Sequence, residues 1–200
     1  MVPYLSLIYR LLELPSAYAL NQHLGRPTTD RYRALIEANL QTDDIFVLDV
    51  GCGIGNFRDS FRGHYIGIDI NSRYIDMARK RFPDRFEVMD CTSLGFSNDS
   101  FDEVVSVATT HHLNDDAFAK MVAEALRVVR PGGHFHVIDA VLPASKWAWF
   151  KHAWFRLDRG RYPRKLAVML TLLRSRGRLS THQVLKGPLH DVAYIRIARP

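Results

Sequence analysis

The stretch VLDVGCGIGNF, residues 47 to 57, constrains the chain more than any other. A buried apolar strand runs into a turn that has glycine at three of five positions, Gly51, Gly53 and Gly55. Such a turn opens the C-terminal edge of a parallel sheet, where ligands of open α/β folds bind. From residue 45 onward the pattern alternates. Strands are predicted at Ile45–Val50, His64–Asp69, Arg85–Met89, Phe101–Ala108 and Gly133–Ala140. Helices are predicted after Gly55, from the Asn71 cap to Pro83, and across Phe118, Met121, Val122, Ala125, Leu126 and Val129, with Pro131-Gly132-Gly133 as the stop. This alternation requires right-handed crossovers between parallel strands. The fold class is α/β, a Rossmann-like doubly wound sheet with helices on both faces.

The flanks are read more coarsely. Before the first strand the spacing predicts three helices: Tyr4 to Glu13, a short one ended by Gly25 and Pro27, and one capped by Thr28-Thr29-Asp30 that aligns Tyr32, Leu35, Ile36 and Leu40. After the fifth strand come two more. Trp147, Phe150, Trp154 and Leu157 share one stripe of the first, with Trp149 on the other side beside His152 and Arg156. The second starts near Pro163, ends before Gly177, and aligns Leu166, Met169, Leu170 and Leu173. A hairpin closes the chain, Ser180–Lys186 and Asp191–Ala198, giving the mostly parallel sheet an antiparallel C-terminal strand. Two hundred residues with ordinary apolar content fit one domain. It divides into an N-terminal helical cap (1–44), a ligand-binding core (45–140), a helical lid (141–180) and the hairpin (181–200).

The turn discriminates between ligands. A dinucleotide fingerprint G-x-G-x-x-G needs a third glycine at position 56, which is Asn56. Asp49 stands just before the turn, where a carboxylate repels a pyrophosphate and attracts an ammonium or sulfonium. Asp69, at the end of the second strand, can accept both hydroxyls of a ribose. Charge-assisted bonds of that kind are worth ~1.5–3 kcal/mol each. Asp90, ending the third strand, can accept an adenine amino hydrogen. Three acids at three successive strand ends suit a cationic nucleotide.

VLDVGCGIG, GIDIN, Asp90 with Cys91, FDEVVSVATTHHL and EALRVVRPGGHFHVID together resemble the class I S-adenosylmethionine-dependent methyltransferases of the small-molecule type, over residues 45 to 140. The resemblance implies S-adenosylmethionine as cofactor and S-adenosylhomocysteine as product. It implies that Gly51 and Gly53 line the methionine part, Asp69 the ribose and Asp90 the adenine, with Cys52, Gly55, Asn56, Ile70 and Cys91 completing the cofactor site. Thr109 to His112 would then face the methyl group and the acceptor. His111 or His112 is a candidate general base, against the plainer reading that one caps the following helix. Asp139 is a candidate acceptor contact, although an acid at a strand end is more often solvated. His134 and His136, near the start of their strand, are expected to be structural, and no metal site is expected. TTHHL does not match the Asn/Asp-Pro-Pro-aromatic motif of the family's base-amine methylating members, which disfavours a nucleic-acid substrate.

The charge is divided unevenly. Residues 146–200 carry thirteen Lys/Arg against two Asp/Glu, a balance of +11, and the preceding residues carry −5. A lid edged by Arg159, Arg161, Arg164, Lys165, Arg174, Arg176 and Arg178, with Trp149 as a candidate substrate contact, suits a small amphiphilic or anionic acceptor, methylated on oxygen or carbon. An anionic membrane surface is a candidate partner, and a solvated basic face is the plain alternative. RNA methylation and a non-catalytic partner subunit are the competing functions, and a nucleotide-dependent reductase is disfavoured by Asn56. Two unpaired cysteines, no apolar run of spanning length and no leader sequence give a cytoplasmic expectation.

Overall fold

A computed structural model describes residues 26–40, 44–143, 161–187 and 190–199. The chain order is α1 (Arg26–Asn39), β1 (Phe46–Val50), β2 (His64–Asp69), α2 (Ser72–Arg81), β3 (Arg85–Val88), β4 (Phe101–Val107), α3 (Asp115–Val128), β5 (Val129–Leu142), β6 (Arg164–Lys165), α4 (Leu166–Arg174), β7 (Arg178–Leu185) and β8 (Asp191–Ala198). One sheet holds all the strands among the described residues, in the order β3-β2-β1-β4-β5-β8-β7, with the two-residue β6 beside β5. Pairing is parallel from β3 through β5, while β8 runs antiparallel to both β5 and β7. The doubly wound sheet and its C-terminal hairpin are as the sequence pattern requires.

Alternation along the strands sends residues to two cores. Leu48, Val50, Val104, Phe135 and Val137 pack under α3 and α4 with Phe118, Met121, Val122, Met169 and Leu173. Val47, Val105, Val107, Ile138 and Tyr194 face the other way, against Tyr32, Leu35, Ile36, Ile75 and Ala78 of α1 and α2. β8 is buried along nearly its whole length because it lies inside the sheet, which explains its mostly apolar sequence, interrupted only at Arg196. The strand order reverses between β1 and β4, so the crevice lies beyond their C-terminal ends.

The structure differs from expectation at four places. No α-helix follows Gly55. The connection to β2 contains only a 3₁₀ turn, Arg58–Ser60, and the seven residues between Gly55 and Gly63 give little room for more while Phe57 and Phe61 are drawn into the core. α1 begins at Arg26, so Pro27 opens this helix instead of closing the one before, a position where its missing N–H costs nothing. Pro131-Gly132-Gly133 does stop α3, but within an irregular start to β5. Phe101 pairs with Val129 and the next pair is Glu103 with His134. Gly132 there has φ +89°, and a Cβ on Gly133 would overlap the Asp102 carbonyl. α4 starts at Leu166, three residues after Pro163, because Arg164 and Lys165 are first drawn into pairing with Val141 and Leu142. The helices expected at 4–13 and up to 25, and the aromatic helix with Trp147, Trp149 and Trp154, lie outside the described residues.

Candidate active site at the β1–β4 crevice

The turn after β1 is built by backbone geometry that glycine alone adopts easily. Gly51, Gly53 and Gly55 have φ of 80°, 56° and 75°. The amides of Gly51 and Cys52 both donate to the Ile68 carbonyl at 2.8 and 2.9 Å, folding the turn back over the end of β2. A Cβ on Gly51 would overlap Thr109, whose Oγ1 lies 3.2 Å from the Gly51 carbonyl. Two arginines brace the far side of the turn. Arg33 of α1 donates to the Asn56 carbonyl at 2.5 Å and Arg81 of α2 to the Ile54 carbonyl at 3.2 Å. Neither stands out in sequence, where both read as solvated helix charges.

The acids are unequal. Asp69 accepts the Gly53 amide at 3.0 Å and the Asn71 amide at 2.8 Å, so the β2 end and the glycine turn are one unit. Each of its oxygens still has a lone pair for a further donor. Asp49 is 1% exposed. Its Oδ2 accepts the Tyr65 hydroxyl at 2.7 Å, and its Oδ1 is buried without a hydrogen-bond partner. Burial above all, with Asp69 nearby, pushes the Asp49 carboxyl up to about 7 against the pull of the Tyr65 hydrogen bond. Burial also raises Asp69. Asp90 lies beyond the end of β3, exposed, with Oδ1 accepting the Thr92 amide and hydroxyl at 2.8 Å each. Ile70 is 71% exposed next to Asp69, an apolar surface beside the ribose-type carboxylate. Cys52 is buried and Cys91 half-buried; desolvation pushes both thiols up, Cys91 to about 11, so neither is a ready nucleophile.

On the other side of the crevice β4 runs into a 3₁₀ turn, Thr110–His112. Asp139 of β5, the candidate acceptor contact for which a solvated strand end was the plainer alternative, is fully buried against this turn. Its Oδ2 accepts the Thr110 hydroxyl at 2.5 Å and the His111 amide at 3.2 Å. Its Oδ1 meets His111 Nδ1 at 2.7 Å and the Ala140 amide at 2.7 Å. Asp139 thus spends its hydrogen-bonding capacity on the protein, and its direct contact is His111. Neither histidine caps α3, since Asn114 accepts the Ala117 amide itself at 2.8 Å. The His112 ring packs on His111 at 4.2 Å between centroids.

Arg164 was expected on the basic margin and is buried instead, 6% exposed. Its guanidinium donates to Asp115 Oδ1 at 2.6 and 2.8 Å, to the Thr110 carbonyl at 2.8 Å and to the Leu113 carbonyl at 2.6 Å, and lies over the Phe118 ring at 5.0 Å. The Tyr162 amide donates to the His111 carbonyl at 2.9 Å. Residues 162–164 therefore pin the His111 turn from the lid side. Beside them an open groove of about 430 Å³ is lined by Leu142, Arg161, Tyr162, Lys165 and Val168, with Tyr162 and Val168 each 43% exposed. Trp149 lies outside the described residues.

At the N-terminal ends of the strands Glu103, His134 and His136 have ligand-capable atoms within 4.8 Å of one another. Their shortest approach, 2.7 Å between His136 Nε2 and Glu103 Oε2, is a hydrogen bond, and Tyr194 holds the other nitrogen of His136 at 3.0 Å.

A profile described as a methyltransferase domain matches residues 48–137. The chain is 33% identical over 123 residues to a phthiotriol/phenolphthiotriol dimycocerosates methyltransferase of Mycobacterium leprae, covering 58% of this chain and 44% of that protein. It is 41% identical over 102 residues to the 2-methyl-6-phytyl-1,4-hydroquinone methyltransferase of Synechocystis, covering 46% of this chain and 31% of that one. Residues 48–137 of the chain are similar to the methyltransferase domain of S-adenosylmethionine-dependent methyltransferases. The crystal structure of a putative methyltransferase from Bacillus halodurans shares the methyltransferase fold, with TM-score 0.71 at 14% identity over 84% of this chain and 98% of that one. The chain spans less than half the length of the two curated relatives it matches.

The residues present fit the family's cofactor. A buried carboxylate oxygen that lacks a donor at Asp49, next to the half-buried Asp69, offers negative charge beside a turn whose left-handed glycines expose backbone. Tyr65, Arg33 and Arg81 escaped sequence reasoning, and Arg164 was placed on the exposed basic margin. Each acts through a tertiary contact that no local spacing encodes.

Proposed function

We propose that the protein transfers a methyl group from S-adenosylmethionine to a small amphiphilic or anionic acceptor. When bound, the cofactor supplies a methyl group made electrophilic by a sulfonium. Asp69 would accept its ribose hydroxyls, Asp49 would face its positive charge, Ile70 and Asp90 would flank its base, and Gly51 and Gly53 would leave room for its chain. One observation carries this reading: a buried acid, Asp49, beside a half-buried one, Asp69, both with raised pKa, the first with an oxygen that has no donor. Such a site is stabilised by a cation and destabilised further by a pyrophosphate, which separates it from a dinucleotide reductase.

The acceptor side supports an amphiphile. Tyr162, Val168 and Leu142 give the groove apolar and aromatic surface, Arg161 and Lys165 give it positive charge, and Tyr162 touches the His111 turn at the crevice. Two relatives carry lipid-like acceptors in their names, a dimycocerosate and a phytyl hydroquinone. The +11 balance of the last 55 residues supports contact with an anionic lipid surface, which falls off beyond a Debye length of ~8 Å at physiological salt. No helix among the described residues is long and apolar enough to cross a membrane.

The test is transfer of labelled methyl from S-adenosylmethionine into an extract, partitioned among organic, aqueous, nucleic-acid and protein fractions. Label in the organic layer, reduced by Tyr162→Ala or by Arg161→Glu with Lys165→Glu, is expected. Label confined to nucleic acid would replace the amphiphile with RNA or DNA as substrate.

A further inference from the structure

We propose that Glu103, His134 and His136 bind a zinc ion at the N-terminal end of the sheet, away from the crevice. The site is independent of the methyl-transfer reading. From sequence both histidines read as structural, without a metal; their placement in the fold gives the reason to assign one.

Strand geometry brings the three residues together. His134 and His136 are two positions apart on β5, so both side chains stand on one face of the sheet. Glu103 pairs with His134 in the parallel β4–β5 ladder and stands on that face too. Its carboxylate serves both histidines. Oε2 meets His136 Nε2 at 2.7 Å and accepts the His134 amide at 3.0 Å, while Oε1 lies 3.5 Å from His134 Nδ1. The two rings stand edge to face, 6.1 Å between centroids, and the three ligand-capable atoms lie within 4.8 Å of one another.

Two imidazoles and a carboxylate are a zinc donor set. Zinc binds such nitrogens and oxygens at about 2.0–2.2 Å in a tetrahedron, which sets its ligands about 3.3–3.5 Å apart. The separation between His134 and Glu103 already has that spacing and is too long for a good hydrogen bond. The 2.7 Å contact has to open by roughly half an ångström. The His134 side chain, 26% exposed, has room to turn toward the other two.

A simple His–Glu hydrogen bond accounts for His136 alone. It does not explain why the second imidazole is aimed at the other oxygen of the same carboxylate at more than hydrogen-bond length. The support behind His136 also suits a ligand. Tyr194 of β8 holds its Nδ1 at 3.0 Å. A phenol hydroxyl both donates and accepts, so it also serves the tautomer that carries a hydrogen on Nδ1 and turns the Nε2 lone pair toward a metal. Outer hydrogen bonds of this kind orient metal-binding histidines.

One neighbouring charge opposes a cation. Arg196 faces His136 across the β5–β8 ladder and so stands on the same side of the sheet. Glu103 offsets it. The Arg196 Nε is buried without a hydrogen-bond partner, and a water or hydroxide in the fourth zinc position would add an acceptor on this face. Glu103 and His134 are both partly exposed, which leaves that position and an entry path open to solvent. Asp139 lies three residues beyond His136, about 10 Å along β5. The ion is therefore structural: it ties β4 to β5 and, through Tyr194, to β8.

The test strips the full chain with a chelator, loads it with zinc chloride, desalts it and measures retained metal, with cobalt chloride in parallel for its visible spectrum. The expected results are one zinc retained per chain, the intense visible bands of tetrahedral cobalt, and a urea midpoint that rises with zinc. His134→Ala and Glu103→Gln, both at partly exposed positions, should each weaken zinc binding in calorimetry by more than about 100-fold and abolish the urea shift, while Tyr194→Phe should weaken it by about 10–100-fold. His64→Ala, a histidine at the same end of the sheet outside the cluster, should bind as wild type does. ¹⁵N NMR of the wild type needs no variant: zinc should shift ring nitrogens of His134 and His136. Failure of the folded wild type to retain zinc would overturn the proposal. So would wild-type retention by both His134→Ala and Glu103→Gln, or NMR shifts confined to other histidines, either of which would put the metal elsewhere on the chain.

Discussion

Asp49 carries the sharpest conflict between burial and charge in the molecule. Its pKa rises from the ordinary 3.8 to about 7, so between those values the folded chain holds a proton that the unfolded chain has released. The unliganded fold is therefore expected to lose stability from this group as pH rises from about 4 to about 7, and to lose no more above that. Cofactor binding places a positive charge nearby and should expel the proton. Titration of S-adenosylhomocysteine in two buffers of different protonation enthalpy at pH 6.5, about half a unit below this pKa, is expected to show proton release, with affinity weakening as pH falls. Asp49→Asn should stabilise the unliganded protein above pH 7 and weaken binding at the same time. Gly51 makes a steric test of the same turn. Gly51→Ala places a Cβ on Thr109 at φ +80°, and is expected to cost about 1–3 kcal/mol of stability in urea unfolding and to abolish ligand binding. The positions of the glycines and of Asp49 and Asp69 were legible in the sequence because strand ends and turns are local. The unpartnered oxygen of Asp49 and the role of Asp139 were not, because both depend on what packs against them from other strands.

Single elements explain where sequence reasoning met its limit. The chain after Gly55 has the composition of a helix start but too few residues before β2, and the core claims Phe57 and Phe61 instead. Arg164 reads as one more basic residue among many and is the buried clamp that joins the lid segment to the His111 turn. Arg164→Ala would leave the Thr110 and Leu113 carbonyls without their donor. The expected cost is about 2–4 kcal/mol by urea unfolding, with kcat falling beyond what the stability loss explains. Arg161→Ala, on the exposed side of the same segment, should leave stability within about 0.5 kcal/mol of wild type. α3, by contrast, was legible almost to the residue. Its apolar face is periodic, although Asn114 and not a histidine caps it and it ends at Val128, ahead of the Pro-Gly-Gly run.

At the scale of the whole molecule, the alternation of strands and helices and the closing hairpin determined the topology, since right-handed crossovers leave few ways to wind five parallel strands. Residues 48–137, which the methyltransferase-domain profile matches, are also where the candidate cofactor residues gather. The groove residues 161–168 fall outside that match, so the proposed acceptor rests on this chain's own surface as well as on the relatives. All the functional claims rest on one premise: the crevice between β1 and β4 binds a cationic adenosyl amino acid and not a dinucleotide. Calorimetric titration of the purified chain with S-adenosylmethionine, S-adenosylhomocysteine and NADH tests it most directly. The expected result is one-to-one binding of the first two, lost in Asp69→Ala, with no heat from NADH. Binding of NADH in preference to both adenosyl ligands would contradict it.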